Sequence, residues 1–226
     1  MSLILNINTD SELAIVSLAD NSEVLAFEEN EIAKDHASFV HTAIKSLLLK
    51  TNLSLSAIEA VAVSGGPGSY TGIRVGMASA KGLCFALNVP LIMIGSLNLL
   101  AADQFLYDSN TNFLYAPVID ARRMEVYTTI IDRNENIFLE AQPMVLGSES
   151  FSKFLDNGKV LFMGNGIVKL QPLIIHKNAY FAQPVNLIDT MAILSANKFR
   201  NHQFNDLINS EPLYLKGLYV PDSKIK

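Results

Sequence analysis

The 226-residue sequence predicts an α/β protein of two related lobes, each a mixed sheet flanked by helices. Two observations carry this. Each half opens with three short meandering apolar strands and then alternates helix with strand, the pattern of a duplicated mixed α/β unit. A polar stretch, Ser109-Asn110-Thr111-Asn112, separates the halves, which sets expected lobes of 1–108 and 109–226.

The elements follow in order. Leu3 to Ile7 is a short apolar strand, and Glu12 to Leu18 and Val24 to Glu28 are two more, parted by the turn residues Asp20-Asn21-Ser22. From Asp35 to Lys50 the apolar residues Phe39, Val40, Ala43, Ile44, Leu47 and Leu48 recur at helical spacing and form one stripe. Ala60 to Ser64 is a buried strand, and a Gly-rich turn leads into a helix over 71–87. Asn88-Val89-Pro90 is a turn, Leu91 to Ile94 a strand, and Ser96 is the expected cap of the next helix. In the second half Phe113–Ile119, Glu125–Asp132 and Ile137–Ala141 read as strands, the last two joined by a hairpin turn at Arg133-Asn134-Glu135-Asn136. A helix over Glu149–Leu155, a strand over Val160–Met163 and a helix over Leu187–Arg200 capped by Asn186 complete the set. From Pro212 onward no regular pattern is legible.

Composition narrows the function. Only 17% of residues are charged, below the roughly 25% of ordinary domains. Such a chain either buries a large core or keeps an apolar surface for a partner. The net charge of −5 gives no general attraction to phosphate backbones, so any role in nucleic-acid chemistry is expected to be indirect. A lone cysteine, Cys84, excludes an intrachain disulfide and fits a reducing, cytoplasmic compartment; the N-terminus has no basic region or cleavage site of a signal peptide. Residues 82–102 carry no charge, but Asn88, Pro90, Gly95, Ser96 and Asn98 interrupt the run, which reads as helix end, turn, strand and new helix rather than a membrane span.

Most catalytic chemistries fail on spacing. Gly66, Gly68 and Gly72 fit neither the Walker loop nor the dinucleotide fingerprint, and a packing role for the turn is favoured over anion binding. His36 and His41 are five apart, about 140° around a helix at ~100° per residue, so they do not form a metal pair. Cys84 has no basic neighbour in sequence, and no nucleophile elbow is present. Asp120, Arg122, Arg123 and Glu125 form a charged cluster between two strands, read as a solvated turn with local ion pairs or as a polar site.

The helix over 71–87 is the most informative element. Arg74 and Lys81 are its only charges, and Gly72, Gly76 and Ala80, with Ser79 beside them, form a small-residue stripe. A helix apolar on nearly all sides must be covered on nearly all sides. Helices 35–50 and 71–87 are therefore the expected partner-binding surface, with Phe39, Ala43, Leu47, Gly72, Arg74, Gly76, Ser79 and Ala80 as candidate contacts. Packing of the two helices on each other is equally open at this point.

The run Gly65-Gly66-Pro67-Gly68-Ser69-Tyr70-Thr71-Gly72-Ile73-Arg74, followed by Ala80-Lys81-Gly82-Leu83, closely resembles the TsaB family. So do Ile4 to Thr9 with Ser17, the run Asp120-Ala121-Arg122-Arg123-Met124-Glu125-Val126-Tyr127, and Pro212-Leu213-Tyr214-Leu215-Lys216. The resemblance spans nearly the whole chain. It implies an actin-like, Hsp70-like (ribonuclease H-like) superfold, no cofactor or metal of its own, and a non-catalytic scaffold role. It further implies that the chain supports a catalytic paralogue, TsaD, in a complex with an ATPase subunit, TsaE, that forms threonylcarbamoyladenosine beside the tRNA anticodon. N-terminal helices are implied to pair with TsaD, or with a second copy when alone. Departures are informative. The paralogue's His-x-x-x-His metal motif is absent after the strand over 91–94, Asn8 stands at a common Asp position, and Lys216 replaces an Arg. The alternatives are an enzyme of the same superfold, metal-dependent or ATP-driven, and a direct tRNA-binding module.

Overall fold

The computed structural model describes residues 2–31, 36–107 and 112–216. The expected helix start at Asp35 and linker positions 109–111 lie outside these residues. Strands β1 (Leu3–Asn8), β2 (Ala14–Asp20) and β3 (Glu23–Asn30) form an antiparallel meander, to which β4 (Ala60–Ser64) and β5 (Leu91–Ile94) add in parallel, giving the order β3-β2-β1-β4-β5. The second sheet repeats the plan. β6 (Phe113–Asp120), β7 (Glu125–Ile131) and β8 (Ile137–Val145) meander, and β9 (Lys159–Met163) and β10 (Ala179–Ala182) add in parallel, in the order β8-β7-β6-β9-β10. The duplication expected from the sequence is thus present strand for strand.

The helices differ between the halves. α1 (His36–Thr51) and α2 (Tyr70–Leu87) cover the outer face of the first sheet, burying Val40, Ala43, Leu47, Met77, Ala80 and Cys84 against Leu5, Ile7, Val61 and Val63. Their counterparts are single turns, α4 (Ser152–Leu155) and α5 (Ile167–Leu170). The helix expected over Glu149–Leu155 is therefore shorter than the sequence suggested, and α5, β10 and a 3-10 turn at Leu55–Ala57 were not anticipated. Segments of three or four residues carry too few periods for an apolar pattern to register.

Between the sheets lie α3 (Ser96–Tyr107) and α6 (Leu187–Arg200), and they are exchanged. α3 follows the first sheet yet packs Leu97, Leu100 and Ala101 on Tyr115, Ile119 and Leu161 of the second. α6 follows the second sheet yet packs Met191 and Ala196 on Ile4, Ala62 and Ile92 of the first. The expected division at 108/109 falls between the two sheets, while α6 packs on the first. A further correction concerns Ser96. It is the first helical residue, the Leu99 N–H donates to the Gly95 carbonyl, and its own hydroxyl lies beside the Asp10 carboxyl, so it does not cap α3. Asn186 does cap α6, accepting from the Asp189 N–H at 3.1 Å. No helix among the described residues is long and apolar enough to cross a membrane.

Asp103 joins the exchanged helices. Wholly buried on α3, its carboxylate accepts the backbone N–H groups of Val185 (2.7 Å) and Asn186 (2.8 Å), the Thr190 hydroxyl (3.1 Å) and the Gln104 amide (3.0 Å). The N-terminus of α6 thereby gains a charged acceptor from another element. The stripe of small residues on α2 also faces inward: a Cβ at Gly76 would lie 2.3 Å from the Thr9 hydroxyl oxygen, while at Gly82 it would meet nothing within 4 Å.

Two stability outcomes follow. Asp103→Ala leaves buried donors unpaired and is expected to lower unfolding free energy by ~3 kcal/mol in urea titrations; a loss below ~1 kcal/mol would show the clasp to be dispensable. Gly76→Ala is expected to destabilise by ~1–3 kcal/mol through overpacking, and Gly82→Ala to stabilise by ~0.5–1 kcal/mol through helix propensity. Thermal unfolding of both variants checks the opposite signs.

Candidate functional site

The Gly-rich turn is filled by the protein itself. After β4, the Gly65 N–H donates to the Ile94 carbonyl (2.8 Å) and the Ser96 N–H to the Gly66 carbonyl (2.9 Å). Gly66 has φ +91°, a left-handed value that disfavours other residues, and the bond to Pro67 is cis. At Gly68 a Cβ would lie 2.2 Å from the Asp10 carbonyl oxygen, which accepts the Ser69 N–H at 2.7 Å. Ser69 caps α2 by accepting from the Gly72 N–H (3.3 Å), and the Thr9 hydroxyl donates to the Gly72 carbonyl (2.8 Å). The β1–β2 loop thus sits where an anion would have to approach, and the turn serves packing rather than phosphate binding.

Two sequence motifs meet at the mouth of this turn, and a third is tied to them through Lys216. The tail comes back to it, with the Leu213 N–H donating to the Gly65 carbonyl at 2.8 Å. The Tyr214 ring lies 5.1 Å from that of Tyr70, tilted by 40°, and the Arg74 guanidinium sits 5.3 Å from the Tyr70 ring centre and donates to its hydroxyl at 2.7 Å. Lys216 pairs with Glu125 of the second lobe. Asp120 accepts from the Arg122 N–H and from Lys169, both at 2.6 Å, and its own N–H donates to the Asn165 side chain at 2.8 Å. Arg122 and Arg123 both adopt left-handed backbone, φ 65° and 49°, at a cost of ~1 kcal/mol each, with exposed side chains. Thr71 is exposed and Tyr127 is partly buried beside the α3–second-sheet core.

The candidate contacts on α1 and α2 divide. Ala43, Leu47, Gly72, Gly76 and Ala80 are buried within the chain, and Phe39 and Ser79 are partly buried; Arg74 alone is exposed. The outward face of α2 is instead Arg74, Ala78, Gly82, Phe85 and Ala86, with Phe85 82% exposed. Beside it, Leu49 of α1 is 72% exposed and borders an open groove lined by His41, Lys45, Leu48, Leu55 and Leu83. The spacing of Arg74, Ala78, Gly82 and Phe85 was available as a signal, but sequence alone did not say which small-residue face meets the sheet.

Between the lobes is a cavity of about 120 Å³ lined by Asn8, Asp10, Ser11, Ser96, Asn165 and Leu187, among others. Burial pushes the Asp10 carboxyl up to about 6. Asn8 accepts the Asp10 N–H with its side-chain oxygen at 3.3 Å. Among the described residues no group of three His, Cys, Asp or Glu side chains is placed to hold a metal ion. Burial raises the Cys84 thiol to about 11, far from a reactive thiolate at neutral pH.

Comparison with known proteins places this geometry in a lineage. The tRNA threonylcarbamoyladenosine biosynthesis protein TsaB of Bacillus subtilis is 31% identical over 62% of this chain, and that of Escherichia coli 34% identical over 59%. The matches span 59% and 56% of those relatives' own lengths. A Pseudomonas aeruginosa structure described as similar to peptidase YEAZ superposes with a TM-score of 0.76 at 23% identity, covering 96% of this chain and all of that one. That likeness establishes the fold, the two-lobed actin-like α/β architecture that the sequence resemblance implied. Residues 28–158, more than half of the chain, match the family model described as TsaD, tRNA N6-adenosine threonylcarbamoyltransferase, and the chain belongs to that family.

Proposed function

We propose that this chain is a non-catalytic subunit of an assembly that forms threonylcarbamoyladenosine on tRNA, and that it docks a TsaD-like catalytic subunit along α1 and α2. The observation that carries the reading is the outward face of α2, where Ala78, Gly82 and Ala86 leave a low-relief apolar strip that ends in the exposed ring of Phe85. Small residues let a second helix approach closely, and an exposed aromatic beside them is a typical anchor. The names of the curated relatives supply the chemistry of the assembly. In the absence of the catalytic subunit, a second copy of this chain occupies the same face. A TsaE-like ATPase joins the assembly elsewhere.

The cleft supports the non-catalytic part of the reading. Its walls include Leu99, Leu100, Ile119 and Leu187, and the buried Asp10 carboxyl has no cation beside it among the described residues. An ATP-driven or metal-dependent enzyme of the same superfold would need phosphate or metal ligands here; tight stoichiometric binding of ATP or a divalent cation by the isolated chain would revive it.

Docking is tested by co-purification of the full chain with the TsaD-like subunit and by reconstituted tRNA modification with and without this chain. Phe85→Asp and Gly82→Glu are expected to weaken association at least ~30-fold and to depress modification to the level without the chain; unchanged association would show the face to be wrong. Asp10 gives a second outcome. Its folded-state pKa of about 6 lies above the ordinary carboxyl value of 3.8, so between these values the native state holds a proton that the unfolded chain releases. Stability from this group therefore falls as pH rises from about 4 through 6 and stays reduced above. Asp10→Asn is expected to be more stable than the parent by ~2 kcal/mol at pH 7.5 and to lack that fall, as urea unfolding across pH would show.

A further inference from the structure

We propose that the surface carrying Tyr70, Arg74, Arg122, Arg123, Tyr214 and Lys216 is a contact site for single-stranded RNA. The arginines hold the sugar-phosphate backbone, and the tyrosine pair takes one unstacked base. This surface adjoins the outward face of α2 at Arg74 but excludes its docking strip of Ala78, Gly82, Phe85 and Ala86, and the inference goes beyond the docking reading.

The charge distribution is the first support. The chain as a whole carries −5, yet this patch is locally basic. Its carboxylates Asp120 and Glu125 are held by Lys169 and Lys216. Among the described residues neither Arg74 nor Arg122 forms an ion pair with a carboxylate, and Glu211 is the remaining acid whose charge reaches Tyr214. Two exposed guanidinium groups with no carboxylate at ion-pair distance among the described residues attract a polyanion locally although the acidic molecule as a whole does not. The backbone adds to this, since Arg122 and Arg123 both hold the left-handed conformation at an exposed hairpin tip, where a stability-driven choice would be glycine or asparagine.

The rings favour RNA over an acidic protein segment. Tyr70 and Tyr214 are 40% and 43% exposed, and their rings contact each other at 5.1 Å with Arg74 against the first. An acidic peptide of Asp and Glu would use the arginines but has no aromatic plane to stack on these rings. An unstacked base in a loop has one, and base–aromatic stacking works for any base. Position contributes as well: Tyr214 and Lys216 are two residues apart, about 7 Å of extended chain, and Lys216 reaches the Glu125 end of the arginine hairpin. Lys216 thus links the ring pair to the arginine hairpin.

The test is fluorescence anisotropy of a labelled, unmodified tRNA transcript with the full chain. Saturable binding is expected, with log K falling against log salt by about 0.7 per backbone phosphate neutralised. The double variant Arg122→Ala with Arg123→Ala should weaken binding at least tenfold and flatten the salt slope. Tyr214→Ala should weaken it about fivefold or more with the slope unchanged, while Tyr214→Phe binds like the parent. Phe85→Asp, which separates this surface from the docking face, should bind RNA normally. Thermal unfolding of each variant matching the parent excludes misfolding. No saturable binding by the parent up to ~100 µM, or equal binding by the arginine variants, overturns the proposal. So does a poly-glutamate peptide that binds as tightly as tRNA through the same arginines with no dependence on Tyr214; that result assigns the surface to an acidic protein segment.

Discussion

The fold depends on one buried carboxylate. A duplicated pair of mixed sheets can stand as two separate lobes only if each keeps its own third helix. Here each sheet gives that helix to the other, and Asp103 is where the exchange is fastened. Its two oxygens accept the N–H groups of Val185 and Asn186, the Thr190 hydroxyl and the Gln104 amide. A buried unpaired carboxylate would be prohibitive, so the helices cannot separate without exposing or orphaning these groups. The apolar faces on either side, Leu97 and Leu100 against the second sheet and Met191 and Ala196 against the first, supply the area that makes the clasp worth keeping.

The opposite character of the two outer faces follows from helix length. α1 and α2 have 16 and 18 residues and bury a broad face of the first sheet, yet α2 is too apolar for one covered side to use up all its hydrophobic surface. Gly76 and Ala80 bring its backbone close to β1 and β4, and the turn before it is locked by Asp10 and the tail. Ala78, Gly82 and Phe85 are left outside as a consequence of the same 3.6-residue period. Among the described residues the second lobe, covered by single turns, offers no equivalent helical face.

Legibility in the sequence followed the range of the interactions. Strands with continuous apolar runs, such as Leu91–Ile94, and helices with side-chain caps, such as Leu187–Arg200 behind Asn186, were readable because their signals are local. The Asn88 turn was readable for the same reason, and it closes α2 with φ 54°. What was not readable was decided over long sequence separations. Met191 and Ala196 look like the core of their own half, and only the chain's return past Asn186 takes them to the other sheet. Gly76 and Gly82 look alike on a helical wheel until Thr9 occupies the space beside one of them. The tail from Pro212 has no periodicity because its role is to pair singly, through Leu213, Tyr214 and Lys216, with three different partners.

Those tail contacts bear on what kind of protein this is. Leu213 is bonded to Gly65 in the first lobe and Lys216 to Glu125 in the second, so the tail ties the lobes on one side while α3 and α6 tie them on another. An enzyme of this superfold that works by lobe closure needs a hinge that yields and a cleft that opens. Here Asp10 fills the loop where phosphates would enter, the cavity behind it is about 120 Å³, and the lobes are joined at two separate places. These contacts must break for the lobes to close on each other, which agrees with the proposed docking reading. On the proposed docking and RNA-contact readings, the surfaces rather than the cleft carry the function: the apolar strip of α2, and beside it the arginine–tyrosine patch that the same tail assembles.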